Sequence, residues 1–104
     1  MGLLRDLYCG KSASVVRKAG RAVGRVQGVN FRAFVRNSAK SLGVTGWVKN
    51  MNDGSVTMEL QGTPQIINEL IEKIKVGRGR IKVTSLELSD LPVVEGEDKF
   101  AIRK

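Results

Sequence analysis

Residues 44–61, VTGWVKNMNDGSVTMELQ, decide the fold. Two runs of strand character, Val44 to Asn50 and Ser55 to Gln61, flank Met51-Asn52-Asp53-Gly54. Asp-Gly accepts the positive φ angles that a tight connection demands, so the two runs are expected to pair as an antiparallel hairpin. The second run alternates cleanly, with Val56, Met58 and Leu60 on one face and Thr57, Glu59 and Gln61 on the other. A period of two with a single apolar face predicts a strand covered on one side only.

Whatever covers that face must flank the hairpin, and both flanks carry helical spacing. Upstream, Phe31, Phe34, Val35, Ser38, Ala39 and Leu42 form one stripe that ends at Gly43, a C-terminal stop. Downstream, Thr63 offers an N-cap and Pro64 suits the first turn, while Ile67, Leu70, Ile71 and Ile74 continue the stripe up to Gly77. Before the first helix, Arg21 to Gln27 alternates thinly as a strand, with Gly24 expected to let a helix pack close. Past the second, Arg80 to Leu88 reads as a strand whose apolar parity switches from Ile81 and Val83 to Leu86 and Leu88. That switch predicts a bulge near Thr84-Ser85. Residues 89–98 read as an acidic loop, and Lys99 to Arg103 as a short last strand with Phe100 and Ile102 on one side.

The order βαββαβ plus an edge strand describes an α+β fold, the ferredoxin-like α/β sandwich. It places two helices on one face of an antiparallel sheet, with a short extra C-terminal edge strand. Residues 1–19 show no sustained period and are expected to form a flexible extension, leaving 20–104 as the single domain. This architecture hosts many unrelated activities, so function has to be argued from particular residues.

Stock alone removes much enzymology. The chain of 104 residues has no histidine and one cysteine, Cys9, which excludes His/Cys zinc sites, serine-histidine triads and internal disulfides. Lys and Arg number 18 against 10 Asp and Glu, a formal charge of +8, so partners bearing phosphate are expected. No apolar run reaches the roughly 18 residues of a spanning helix, and Arg5, Asp6 and Lys11 interrupt any secretory core near the start. A lone cysteine suits a reducing compartment, and the protein is expected to be cytoplasmic.

The segment with chemistry in it is Gly24-Arg25-Val26-Gln27-Gly28-Val29-Asn30-Phe31-Arg32, joining the first strand to the first helix. A helix N-terminus carries amides without intrahelical partners and a positive dipole end, which together attract an anion. Gly28 permits a sharp turn, and Arg32 adds a planar fork that binds a phosphoryl group through two hydrogen bonds. The plainer reading has Gly28 as an ordinary turn glycine and Arg32 pointing into solvent. Neither a P-loop nor a dinucleotide fingerprint is present. Asn50 ends the second strand just before the hairpin, where asparagine commonly serves the turn. In this topology it also faces the loop of the first strand.

Those residues resemble a known family. Gly24 to Arg32 is similar to the G-x-V-Q-G-V-x-F-R phosphate loop of acylphosphatases, and Gly46-Trp47-Val48-Lys49-Asn50, Gly54-Ser55-Val56 and Gly62 resemble its second element, G-[FYW]-[AV]-[KR]-N-x-x-x-G-x-V-x5-G. The resemblance covers about residues 20–104, with Ala22 in place of a larger aliphatic and Gly77-Arg78-Gly79-Arg80 in place of a commonly proline-containing stretch. It implies that Arg32 and the amides of Gln27, Gly28, Val29, Asn30, Phe31 and Arg32 bind the phosphoryl group and that Asn50 holds the attacking water. The implied reaction is hydrolysis of a carboxylic-phosphoric anhydride to carboxylate and inorganic phosphate. No cofactor and no metal are implied, and the partners are a small acyl phosphate and phosphate, acting on a monomer without membrane attachment. Asp53, the acid in the turn of the second element, is expected to serve that turn.

Two other functions fit parts of the sequence. A non-catalytic anion-binding module would keep the loop alone. An RNA-binding ferredoxin-like module would use Lys73, Lys75, Arg78, Arg80 and Lys82, a cationic run without an intervening acid. Such modules stack bases on sheet aromatics, whereas this chain has one Trp, one Tyr and three Phe and no RNP motif.

Overall fold

The computed structural model describes residues 15–104; the expectations for Cys9 and its neighbours lie outside them. The elements follow the order β1 (Val16–Arg25), α1 (Phe31–Leu42), β2 (Thr45–Asn50), β3 (Val56–Gly62), α2 (Pro64–Val76), β4 (Lys82–Leu91) and β5 (Phe100–Arg103). One sheet contains all five strands in the order β4-β1-β3-β2-β5. The hairpin pairs β2 with β3 as its turn chemistry requires, from Thr45 opposite Gln61 to Asn50 opposite Val56.

Both helices pack on one face because both present their stripe to it. Phe31, Val35 and Ala39 of α1 and Ile67, Leu70 and Ile74 of α2 meet Ala22, Val48, Val56, Met58 and Leu60 of the sheet in a single buried cluster. A fully buried Leu, Ile or Phe contributes about 1.5–3 kcal/mol relative to exposure, so this layer is the main source of stability. Gly46 shows how closely the strands approach: at φ 137°, its added Cβ would lie 1.8 Å from the Glu59 carbonyl oxygen of β3. No side chain fits there.

The sheet is mixed, not wholly antiparallel as expected, because β5 joins β2 in parallel, with Lys49 opposite Arg103. β4 and β5 form opposite edges, so the chain between them must travel across the sheet face that the helices leave open. It is pinned on the way. Gln61 exchanges two hydrogen bonds of 2.8 Å with the Val94 backbone, and Arg17 donates to Glu97 at 2.8 Å.

That crossing explains why the first strand begins at Val16 and not at Arg21. Arg17 reads as a surface residue in the sequence, yet it is 3% exposed. Its guanidinium is satisfied by Glu59 at 2.8 Å, Gln61 at 3.1 Å and Glu97. A buried cation fully paired in this way mimics none of the apolar periodicity on which strand prediction rests. The hidden residues of β1 also extend β4, since Arg17, Lys18 and Ala19 pair with Leu91, Asp90 and Ser89 inside the expected loop.

The expected bulge is present. Val23 pairs with Ser85 and Gly24 with Val83, leaving Thr84 as the extra residue, and its hydroxyl donates to the Val23 carbonyl at 3.0 Å. Gly24 serves this bulge and not a helix: at φ 134°, its Cβ would sit 2.2 Å from the Lys82 carbonyl oxygen.

Removing the Arg17 cation strands two part-buried carboxylates, so Arg17→Met is expected to lose about 2–3 kcal/mol in urea denaturation at pH 7. Burial pushes the Glu97 carboxyl up, but hydrogen bonds from Arg17 and Thr45 and the charges of Arg17 and Arg103 outweigh it and hold it below its ordinary value. A depressed carboxylate contributes stability above its unfolded value, and that contribution disappears as pH falls through the folded one. The wild type is therefore expected to lose stability only below about pH 4.5, the ordinary glutamate value. Arg17→Met is expected to regain part of its deficit on moving from pH 7 to pH 5, as the unpaired acid takes up a proton. Equal stability loss at both pH values would refute this account of the crossing segment.

Candidate functional site

The loop between β1 and α1 is exposed at its tip and buried at both feet. Val26 and Phe31, each 1% exposed, anchor it in the core, while Gly28 and Asn30 face solvent. Asn30 lies at φ 63° and ψ 26°, the one non-glycine residue with positive φ among those described. Gly28 has φ 74°, and Val29 between them has negative φ. Alternating handedness of this kind turns successive amides toward one concavity.

The two helices differ at their starts. Thr63 caps α2 in the usual extended conformation, its hydroxyl accepting from the Ile66 amide. Asn30 precedes α1 in the left-handed conformation and its side chain makes no capping bond. The first backbone bond at that end is Phe34 N–H to the Asn30 carbonyl, 3.0 Å. Among the described residues, the amides of Gly28, Val29, Asn30, Phe31 and Arg32 have no acceptor. They stand at the positive end of the helix dipole, where unpaired donors favour an anion. An added Cβ on Gly28 would meet nothing within 4 Å, so its role is conformational.

Two side chains of the loop hold it against the hairpin and the last strand. Gln27 Nε2 donates to the carbonyls of Met51 at 2.8 Å and Ser55 at 2.9 Å. Arg32 Nη1 donates to the Arg103 carbonyl at 3.4 Å. Met51 follows Asn50, and Arg103 pairs with Lys49, which precedes it. The loop is thereby tied through Gln27 to the residue after Asn50, and Arg32 to the strand that pairs with the residue before it. Asn50 shares the core face of β2 with Val48, and its buried Oδ1 accepts no hydrogen bond from the described residues. A buried acceptor left without a partner costs about 1–3 kcal/mol, and such an atom calls for a functional explanation.

The site residues expected from sequence do not all share one hollow. Gly28, Val29 and Asn30 border a broad groove between α1 and α2. Asn50 borders a smaller hollow under the hairpin with Lys49, Asp53 and Thr57. Arg32 lines neither hollow and is half-buried, with most of its guanidinium donors uncommitted among the described residues. Asp53 accepts from the Ser55 hydroxyl and amide and from Arg21 Nη2. Those bonds, the Ser55 hydroxyl first, hold its carboxyl far below the ordinary range, so it is an ionised turn residue. Among the described residues, no three His, Cys, Asp or Glu side chains gather as a metal site. The Gln27 brace and the Arg103 carbonyl were not read from sequence. The first was concealed because Gln27 counts as one more loop residue, the second because a parallel register leaves no mark in the pattern.

The sequence model of the acylphosphatase family matches residues 18–102. An acylphosphatase of Clostridium beijerinckii is 42% identical over 89 residues, which span 86% of this chain and 99% of that protein. The crystal structure of acylphosphatase from Bacillus subtilis superposes with a TM-score of 0.81 at 34% identity, covering 86% of this chain and 99% of that one. An acylphosphatase structure from Coxiella burnetii gives 0.82 at 33% identity, covering 89% and 97%. The match over residues 18–102, the relative 42% identical over nearly its whole length and the backbone shared with these solved structures show that the chain belongs to the acylphosphatase family.

Proposed function

We propose that the chain hydrolyses acyl phosphates at the α1 N-terminus, with the amides of Gln27 to Arg32 and the Arg32 guanidinium binding the phosphoryl group and Asn50 orienting the attacking water. The observation that carries this reading is the uncapped start of α1, tied by Gln27 to the Met51 carbonyl next to Asn50 and by Arg32 to the Arg103 carbonyl of the last strand. Water oxygen attacks phosphorus, the bond from phosphorus to the acyl oxygen breaks, and the carboxylate departs with the bonding electrons. The protons of the water pass to phosphate oxygen and solvent. A carboxylate whose conjugate acid has a pKa of about 4 leaves without a general acid, so positioning and charge stabilisation suffice.

Each group then has one task. Amides aimed at the equatorial oxygens stabilise charge in a fixed geometry, and the guanidinium fork grips two oxygens at once. The unpartnered Asn50 Oδ1 accepts a hydrogen bond from the water and sets its direction. Gln27 acts through the loop, as a positioning residue. The donor set offers a divalent cation little to hold, and the reading is metal-independent. It takes the enzyme as a cytoplasmic monomer. Support for the first is the single cysteine in the sequence, and for the second the scatter of the exposed large apolar side chains, Val76, Leu88 and Val94 among them. No helix among the described residues is long and apolar enough to cross a membrane.

Benzoyl phosphate hydrolysis tests the assignment. Arg32→Ala is expected to lose about 10³-fold in kcat/KM and to weaken inhibition by phosphate, with Arg32→Lys recovering little. Asn50→Ala is expected to lower kcat by about 10²-fold while phosphate inhibition stays as in the wild type. Wild-type turnover in both variants would remove the site from this end of the molecule. Gln27→Ala should keep the fold and weaken phosphate binding by about tenfold, since the amides lose their fixed placement. Activity should survive prolonged EDTA treatment, and loss with recovery on adding magnesium would contradict the metal-independent reading.

A further inference from the structure

The groove between the helices begins at the phosphate loop, and its walls are unequal along its length. β1 and β2 run parallel to each other, and β3 and β4 run opposite to them. Each helix runs against the strands it connects, so α1 and α2 are antiparallel. The C-terminus of α2 and the turn after it therefore stand at the same end as the start of α1. Gly28 to Asn30 share the groove with Val76 to Ile81. Next to the loop the walls are apolar, formed by Val29, Phe34 and Ile81, all wholly or partly buried. Beyond them stand Arg78 and Arg80.

The turn that presents those two arginines has a fixed shape. Ile81 N–H donates to the Arg78 carbonyl at 3.1 Å, and Gly77 and Gly79 take φ values of 73° and 61°. A Cβ on Gly77 would meet the Ile81 carbonyl at 2.8 Å. Neither arginine has an acidic partner among the described residues. The acids of the groove, Glu69 and Glu72, lie one to two helical turns further from the loop, roughly 5–11 Å along α2. Glu72 also faces Lys75 at 3.7 Å. Lys73 lines the groove beside those acids, whereas at the end shared with the phosphate loop Arg78 and Arg80 stand without an acid among the described residues.

We propose that this groove receives the acyl part of the substrate and that Arg78 and Arg80 select acyl groups bearing a second carboxylate, so that the preferred substrates are mono-acyl phosphates of dicarboxylic acids. The inference rests on the hydrolytic reading above and adds the substrate class to it. The anhydride phosphorus occupies the loop, the hydrocarbon span lies against Val29, Phe34 and Ile81, and the distal carboxylate meets the arginine pair. Both arginines are solvent-exposed, so the gain is modest and falls with salt.

The test compares benzoyl phosphate with 4-carboxybenzoyl phosphate, which share the ring and the reacting bond. In the wild type at low ionic strength, kcat/KM is expected to favour the carboxylated substrate by about fivefold, carried by KM. Arg78→Gln/Arg80→Gln is expected to bring the ratio to about one. Lys40→Gln/Lys99→Gln removes equal charge from outside the groove and should keep the wild-type ratio, which separates local contact from the overall field. A ratio unchanged in the arginine pair overturns the proposal. A ratio lowered equally in the lysine pair overturns it too, by assigning the preference to net charge. If the arginine pair melts lower with the ratio intact, the two residues serve the α2 C-terminal dipole and the proposal fails. In each of these cases hydrolysis of benzoyl phosphate persists and the phosphate site stands. Loss of both substrates in the wild type removes both readings together.

Discussion

The structure turns on one unmade set of hydrogen bonds. A helix normally recruits an oxygen to close its first turn, and α2 does so with Thr63. α1 does not, because Asn30 adopts a left-handed conformation that carries its side chain away from the amides. The cost of leaving those donors open is offset by what surrounds them. Val26 and Phe31 sink into the core on either side, and Gln27 bonds across to the hairpin. The open amides are a consequence of rigidity elsewhere, and they are donors of the kind an anion satisfies at a helix start.

Most of the architecture was legible because it is written in periodicity. The stripes of α1 and α2, the alternation of β3 and the Asp-Gly turn each fix one element, and their order fixes the sheet. The parity switch after Val83 revealed the bulge at Thr84. The start of β1 was not legible, since Arg17 is buried by pairing and not by hydrophobicity. The parallel placement of β5 escaped as well, because a strand of Phe100–Arg103 looks the same in either direction and only the path across the open face selects one.

Candidate site residues could be named from the sequence, Gly28, Arg32 and Asn50 by spacing and by resemblance, whereas the bonds that hold the loop could not. Those bonds run from Gln27 to two carbonyls and from Arg32 to a third. Backbone carbonyls belong to every residue type, so no sequence pattern marks those that matter.

The strand order has a kinetic consequence. β1 lies between β3 and β4, and its Arg17 meets Glu97 across 80 residues of chain. No short contiguous piece of the polypeptide can therefore assemble a stable sheet, and nearly all loop-closure entropy must be surrendered before the central strand gains its neighbours. Fragments ending before Lys82 accordingly lack β4 and with it one flank of the strand that leads into the loop of Gln27 to Arg32.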